Sequence, residues 1–163
     1  MAVSAKYWVA NNPNSAINDA KAQKLAELSA TTVSVAELNA LDASSGMTAV
    51  MTVGAEAGEV IPVTIQLNDG DGGAMAASKA VFGYLSANAD GSTIATISGL
   101  TVAIGTDGLL QPIVANSSFY LISESDGDID ITVTDASGGT LTNYLVLVMP
   151  DGGLVISDAI TFT

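Results

Sequence analysis

Short β-type runs separated by Gly- and Asp-containing turns fill the sequence from Glu59 to the C-terminus. The first run, residues 59–67, has an apolar residue at every second position, which is typical of a strand with one buried face. Asp-Gly pairs recur where turns require residues that tolerate the left-handed region. The pattern predicts a mainly β fold, an antiparallel β-sandwich of about eight strands. The candidates are residues 47–53, 59–67, 79–85, 93–97, 100–104, 109–115, 119–124, 129–134, 144–149 and 155–162.

One proline constrains the run at 59–67. Pro62 has no amide hydrogen and cannot donate to a neighbouring strand. We therefore expect this run to lie at the edge of a sheet, or to have Pro62 in its first turn.

The first 57 residues are organised differently. Residues 1–13 predict an irregular N-terminal arm, and residues 14–57 predict a helical and linker region before a β-sandwich domain at 58–163. Apolar spacing predicts a helix over 15–29, and a capping box formed by Ser34 and Glu37 predicts a second helix over 35–42. A lone helix of about 15 residues is marginal in water, so we expect helix 15–29 to pack on the body or on symmetry-related copies.

Composition excludes several classes of partner. The net charge of −13 repels phosphate backbones and anionic membrane faces, so we expect neither nucleic acid nor membrane as a partner. No apolar run approaches the roughly 18 residues of a membrane span. Charged residues make up 13% of the chain, below the ~25% typical of soluble domains, and the abundant apolar residues are small. We therefore expect copies of the chain, or a partner, to cover much of its surface.

The residues needed for catalysis are scarce. The chain has no His and no Cys, and from Ala80 onward it has no Lys or Arg. Ser117 and Ser118 therefore lack a His partner, and Ser78 and Lys79 point to opposite faces if they are neighbours on a strand. A glycosidase carboxylate pair is disfavoured because the chain has only eight aromatic residues. We expect no enzymatic activity, no catalytic residues and no cofactor.

Two Asp-rich segments are candidate calcium loops. The first contains Asn68, Asp69 and Asp71, and the second contains Asp126, Asp128 and Asp130. Neither has the Gly and Glu positions of an EF-hand loop. We interpret both as hairpin turns, with alternating acids and isoleucines at 128–131 marking a half-exposed strand, and predict no metal site; calcium sites of other types stay open.

Two segments resemble structural proteins of tailed-bacteriophage virions. Residues 32–42, TVSVAELNALD, are similar to a "T-V-T-A-A-E-L-N-x-L-D" segment found before or between domains of phage fibre and head-decoration proteins. About the last hundred residues resemble a small β-domain that recurs in these proteins. The segments that carry this likeness are 63–69 (VTIQLND), 84–86 (YLS), 102–108 (VAIGTDG), 123–130 (SESDGDID) and 144–152 (YLVLVMPDG).

The resemblance implies a virion component, often trimeric, on the head or in a fibre. The chain is short and lacks the repeats and the receptor-binding tip of long tail fibres, which favours a head decoration or cement protein. The expected partners are the major capsid protein of a phage head and the chain itself as a homotrimer. The N-terminus has no signal-peptide pattern, so we expect synthesis in the host cytoplasm and a final location on the capsid surface.

All four lysines lie within residues 1–79, so the N-terminal part is the least repulsive to an acidic capsid shell. We therefore expect the contact residues to lie in this part. Lys6, Tyr7 and Trp8 are the candidate capsid-docking residues, since Trp and Tyr are favoured in interface hot spots. Two alternatives stay open: a short fibre or adhesin that binds host surface glycans, and a Ca²⁺-dependent carbohydrate-binding module. The candidate oligomer contacts are Ile17, Leu25, Leu28, Leu38 and Leu41.

Overall fold

The computed structural model describes residues 46–95 and 99–163, which belong to one compact unit, Ala40–Thr163. These residues form ten strands and contain no helix able to cross a membrane. The strands are β1 (Thr48–Val53), β2 (Val60–Asn68), β3 (Ala80–Ser86), β4 (Leu100–Ile104), β5 (Leu109–Val114), β6 (Ser118–Ile122), β7 (Asp128–Asp135), β8 (Leu141–Val148), β9 (Leu154–Ile156) and β10 (Ile160–Phe162).

The strands form two antiparallel sheets, which confirms the prediction of a mainly β, antiparallel fold. The first sheet has the order β1-β2-β7-β4. The second has the order β10-β8-β3-β6-β5, and β9 also pairs with β8. Sequence-adjacent strands often lie in different sheets, so the chain passes repeatedly between them.

One hydrophobic cluster draws on both sheets. In the first sheet, the cluster contains the alternate residues of β2 that the sequence predicted to be buried. It also contains Ile129 and Ile131 of β7. From the second sheet it takes inward residues such as Leu85, Phe119 and Leu147. Gly83 makes room within this cluster, because a Cβ there would lie 2.9 Å from the ring of Phe119.

The strand that contains Pro62 is not an edge strand, so that alternative is wrong. β2 lies between β1 and β7. The carbonyl of Pro62 accepts a hydrogen bond from the Gly54 amide at 2.8 Å, just beyond the end of β1. In an antiparallel strand the nitrogen and the carbonyl of one residue point to the same neighbouring strand. The nitrogen of Pro62, which has no hydrogen to donate, therefore faces Gly54, where the pairing with β1 has already ended.

Two predicted strands differ in the structure. Residues 155–162 form β9 and β10 rather than one strand, because Ser157 interrupts them. The Ser157 hydroxyl accepts from the Leu145 amide at 2.9 Å, and the Ser157 amide donates to the Leu145 carbonyl at 2.9 Å. In the described part of the candidate at 93–97, pairing is limited to a single bridge between Ile94 and Ser86.

β1 lies inside the range 14–57 that the sequence assigned to a helical and linker region. It pairs with β2 along its full length, from Thr48 opposite Asn68 to Val53 opposite Val63. The arm at 1–13 and the helices at 15–29 and 35–42 lie outside the described residues.

Candidate functional site

The outer faces of the two sheets differ in side-chain chemistry. In the first sheet apolar and polar residues alternate, so that Thr64, Gln66, Asp130 and Thr132 lie outside. Such alternation is usual when one face of an antiparallel sheet meets water. In the second sheet many outward positions are apolar too, and β8 ends with the run Leu145–Val148. The second sheet therefore has the composition of a sheet that is covered on both faces.

Charge distinguishes the two sheets as well. No residue in the six strands of the second sheet is charged. Residues 46–163 nevertheless carry thirteen acids against one basic residue, Lys79. The acids of this region lie in turns or on β7: Glu56, Glu59, Asp69, Asp71, Asp90, Asp107, Glu124, Asp126, Asp128, Asp130, Asp135, Asp151 and Asp158.

A row of outward residues crosses the second sheet through its middle. Tyr120 on β6 lies opposite Phe82 on β3, with ring centroids 5.8 Å apart in an edge-to-face arrangement. Phe82 lies opposite Val148, which lies opposite Leu154 on β9. Tyr120 is 47% exposed, although it belongs to a strand that is otherwise largely buried. We call the following residues the apolar face: Phe82, Leu109, Val114, Tyr120, Ile122, Val148 and Leu154.

A loop covers the neighbouring part of the same side of the sheet. The Tyr84 hydroxyl donates to the Gly91 carbonyl at 2.6 Å. A Cβ on Gly91 would lie 3.3 Å from the Tyr84 oxygen and from Val146, and its φ of +71° suits glycine. Tyr84 and Val146 are buried by this contact although both point away from the core cluster. The apolar face is what the loop leaves uncovered.

Hydrogen bonds inside the loop hold it in place. The Ser86 hydroxyl donates to the Asn88 carbonyl at 2.9 Å and accepts from the Asn88 amide at 3.1 Å. Asp90 accepts from the Ser92 amide at 3.0 Å, and hydrogen bonds from Ser92 lower the pKa of Asp90. The loop is thus fixed by its own polar groups, and its position defines one border of the apolar face.

The edge strand β5 forms another border. Leu109 is 63% exposed, and Ile113 and Val114 are also exposed. The register between β5 and β6 shifts between Pro112 and Val114. A proline and an irregularity both hinder pairing with a further strand, so this edge is protected against strand addition while its side chains stay accessible.

The Asp-rich segments form turns, but the predicted hairpin is wrong for the second. The first turn is closed by a single bridge between Asn68 and Ala74, whereas the second connects β6 to β7, which lie in different sheets. Asp69 Oδ1 accepts from the amides of Asp71 at 3.1 Å and Gly73 at 2.8 Å. Asp126 Oδ1 accepts from the Asp128 amide at 3.3 Å. In the part of the chain that the structure describes, no group of three or more acidic side chains is arranged to hold a metal ion. These carboxylates stabilise turns.

Acidic side chains gather at the start of β7. Burial raises the pKa of Asp128, and the nearby charges of Asp130, Asp107 and Asp126 raise it further. The Thr106 hydroxyl lies within hydrogen-bonding distance of both Asp130 and Asp107. This end of the first sheet is therefore strongly negative, unlike the apolar face.

Ser117, which was weighed as a nucleophile, has a structural role, and so has Ser123. The buried Ser117 hydroxyl donates to the Ala95 carbonyl at 2.6 Å. The Ser123 hydroxyl accepts from the Lys79 amide at 3.0 Å.

A shallow depression of about 350 Å³ adjoins the apolar face and is lined by Ser78, Gly108, Leu109, Ile122, Ser123, Glu124 and Ser125.

The predicted contact residues all lie outside the described residues: Lys6, Tyr7, Trp8, Ile17, Leu25, Leu28, Leu38 and Leu41. The apolar face was not predicted from the sequence. The signal that could have found it is that the runs at 81–85 and 144–148 are apolar on both sets of alternate positions. Comparisons with protein-family models, curated proteins and solved structures gave no match to this chain.

Proposed function

We propose that this chain is a structural protein of a phage virion that binds the outer surface of the head and stabilises it. The observation that supports this most is the apolar face on a chain of net charge −13. An exposed apolar area of this kind marks an interaction surface. Together with the resemblance carried by residues 32–42 and by the last hundred residues, it favours a role in assembly over a role in catalysis.

The fold within this proposal is a β-sandwich. The two antiparallel sheets supply residues to one hydrophobic cluster, as the inner faces of two packed sheets do. A sandwich leaves two outer faces, and here one is polar and acidic while the other is apolar. A decoration protein needs such a difference, because one surface makes contacts in the particle while the other stays in water.

The test of the proposed function is performed on particles. Phage particles made with and without this protein are compared for copy number, by quantitative mass spectrometry, and for heat resistance, by DNA release on warming. We expect hundreds of copies per particle and earlier DNA release when the protein is absent. A few to tens of copies at the tail, with unchanged heat resistance, would overturn the proposal.

One observation favours the adhesin as a second candidate. Tyr120 is exposed and lies between Gln111 and Phe82 in one cross-strand row. An exposed aromatic ring beside an amide is a pairing that can stack on a sugar and bind its hydroxyl groups. Binding to host surface glycans that is lost in Tyr120→Ala, by a protein present in few copies, would support this candidate over head decoration.

A further inference from the structure

We infer that the apolar face of the second sheet is the surface through which the chain binds a second copy of itself. The inference rests on the same apolar face that supports the proposed function, but capsid binding plays no part in its test. It locates the contact in the β-domain, whereas the sequence pointed to the helices of the N-terminal region.

Charge makes a second copy the best-fitting occupant. Two chains of net charge −13 repel each other, and within residues 46–95 and 99–163 the acids occupy the turns and β7. The apolar face is the part of this region where two copies can meet without bringing strand carboxylates together. When two identical surfaces meet, charged residues on them would bring the same sign of charge together and repel. Such a contact therefore requires an uncharged surface.

A partner of complementary charge fits this face less well. Charged partners are selected and steered by groups of opposite sign at the interface. The acids that lie on a strand, Asp128, Asp130 and Asp135, belong to β7 of the first sheet. The apolar face offers none of these groups; it offers exposed side chains such as Leu109 and Tyr120.

The contact is made by side chains and not by the addition of a strand. The edge strand next to the face carries Pro112 and a register shift, both of which prevent regular backbone pairing. The loop at 87–93 already covers Tyr84 and Val146 on the same side of the sheet. A second copy would therefore cover the remaining rows, from Leu109 across Tyr120 and Phe82 to Leu154.

The test inserts a charge into the face and compares it with a matched control. Leu109→Asp and Tyr120→Asp place a carboxylate on the apolar face, and Val50→Asp places one at a site 58% exposed on β1 of the first sheet. The full chain and each variant are measured by sedimentation equilibrium over a range of concentrations. The monomer mass is 16.3 kDa.

We expect the full chain to sediment as a multiple of 16.3 kDa, and the Leu109 and Tyr120 variants to raise the dissociation constant at least about tenfold. Val50→Asp should associate like the unmodified chain. A monomer at every concentration overturns the inference, and so does equal association of all three variants. Variants whose mass is unchanged but whose melting temperature falls would show that another part of the same chain covers the face, which also overturns it.

A second measurement does not depend on a disruptive substitution. The chain has no cysteine, so Leu109→Cys and Val50→Cys each introduce a single thiol. Protection of the thiol at position 109 against a thiol reagent should grow with protein concentration, while the thiol at position 50 should react at a constant rate. Equal reactivity of the two thiols at all concentrations overturns the inference.

Discussion

One buried residue of the core, Asn143, has a polar side chain without described partners. It is fully buried on β8, and within residues 46–95 and 99–163 neither its amide nitrogen nor its amide oxygen has a hydrogen-bond partner. An unpaired buried polar group costs about 1–3 kcal/mol, because it has lost its hydrogen bonds to water. Nothing in the described contacts offsets this cost, so we expect Asn143 to reduce the stability of the fold.

Replacing this side chain with an apolar one of similar branching should therefore help. Asn143→Leu is expected to leave the free energy of unfolding unchanged or to raise it by about 1–2 kcal/mol. Denaturant unfolding followed by circular dichroism measures the change. Asn143→Asp, which buries a charge at the same place, serves as the control and should be destabilising. A clear loss of stability in Asn143→Leu would mean that the amide has a partner.

Tyr84 shows the opposite case, a buried polar group that is paired. Tyr84→Phe removes the hydroxyl that donates to the Gly91 carbonyl, and it should lower the free energy of unfolding by about 1 kcal/mol. Hydrogen exchange should report faster exchange at the amides of residues 87–93, since this bond fixes the loop. Tyr144→Phe, at a half-buried position without a described hydroxyl bond, is the control. Unchanged exchange in the Tyr84 variant would contradict the role of this contact.

Among the strands, β7 is distinguished by its three acids, Asp128, Asp130 and Asp135. Two of their pKa values shift in opposite directions. Burial and neighbouring carboxylates raise the pKa of Asp128, whereas hydrogen bonds from the Ser137 hydroxyl and amide lower that of Asp135. The raised pKa means that the folded state binds a proton at Asp128 more readily than the unfolded chain does. Ionised Asp128 is therefore destabilising.

Two substitutions test these opposite signs. Asp128→Asn should stabilise the fold at pH 7, and its advantage should vanish as the pH falls and Asp128 becomes protonated in the parent chain. Asp135→Asn should destabilise the fold at pH 7, and its deficit should shrink below about pH 4, because the stability contributed by Asp135 is lost as the pH falls through its lowered pKa. Melting temperatures from pH 2.5 to pH 7 measure both. Equal pH profiles for the two variants would contradict the assignment.

The sequence predicted correctly the strands that have one apolar side and one polar side. Residues 61–67 and 128–131 alternate strictly, so their buried sides could be identified. Ser157 was not recognised as a strand break, because its effect depends on hydrogen bonds to Leu145, which is distant in sequence. The face that carries Phe82 and Tyr120 was not recognised either. In the run 80–86 both faces are apolar, and only the pairing of strands shows which side lies on the core.

At the scale of the whole molecule, net charge opposes both folding and association. The net charge of −13 results from seventeen acids and four lysines, and no basic residue follows Lys79 in the sequence. Added salt screens this repulsion, since the Debye length falls to about 3 Å at 1 M ionic strength. The melting temperature of the full chain should therefore rise by a few degrees as NaCl increases from about 0.02 M to about 0.5 M. Differential scanning calorimetry measures this effect.

The control for this effect removes charge from exposed turns. The double variant Asp71→Asn with Asp158→Asn changes two exposed acids for which no side-chain hydrogen bond is described. Its melting temperature should depend less on salt than that of the parent chain. An equal or steeper dependence would show that salt acts through a mechanism other than screening of net charge.

The position of Lys79 has a consequence for proteolysis. It is exposed, it immediately precedes β3, and the sequence beyond it offers trypsin no further cleavage site. A single cut after Lys79 would separate β1 and β2 from β3–β10, yet the seven paired positions between β2 and β7 would still join the two pieces. The nicked molecule would then be a non-covalent complex of two fragments, and the two could be produced separately and recombined as a complementation pair.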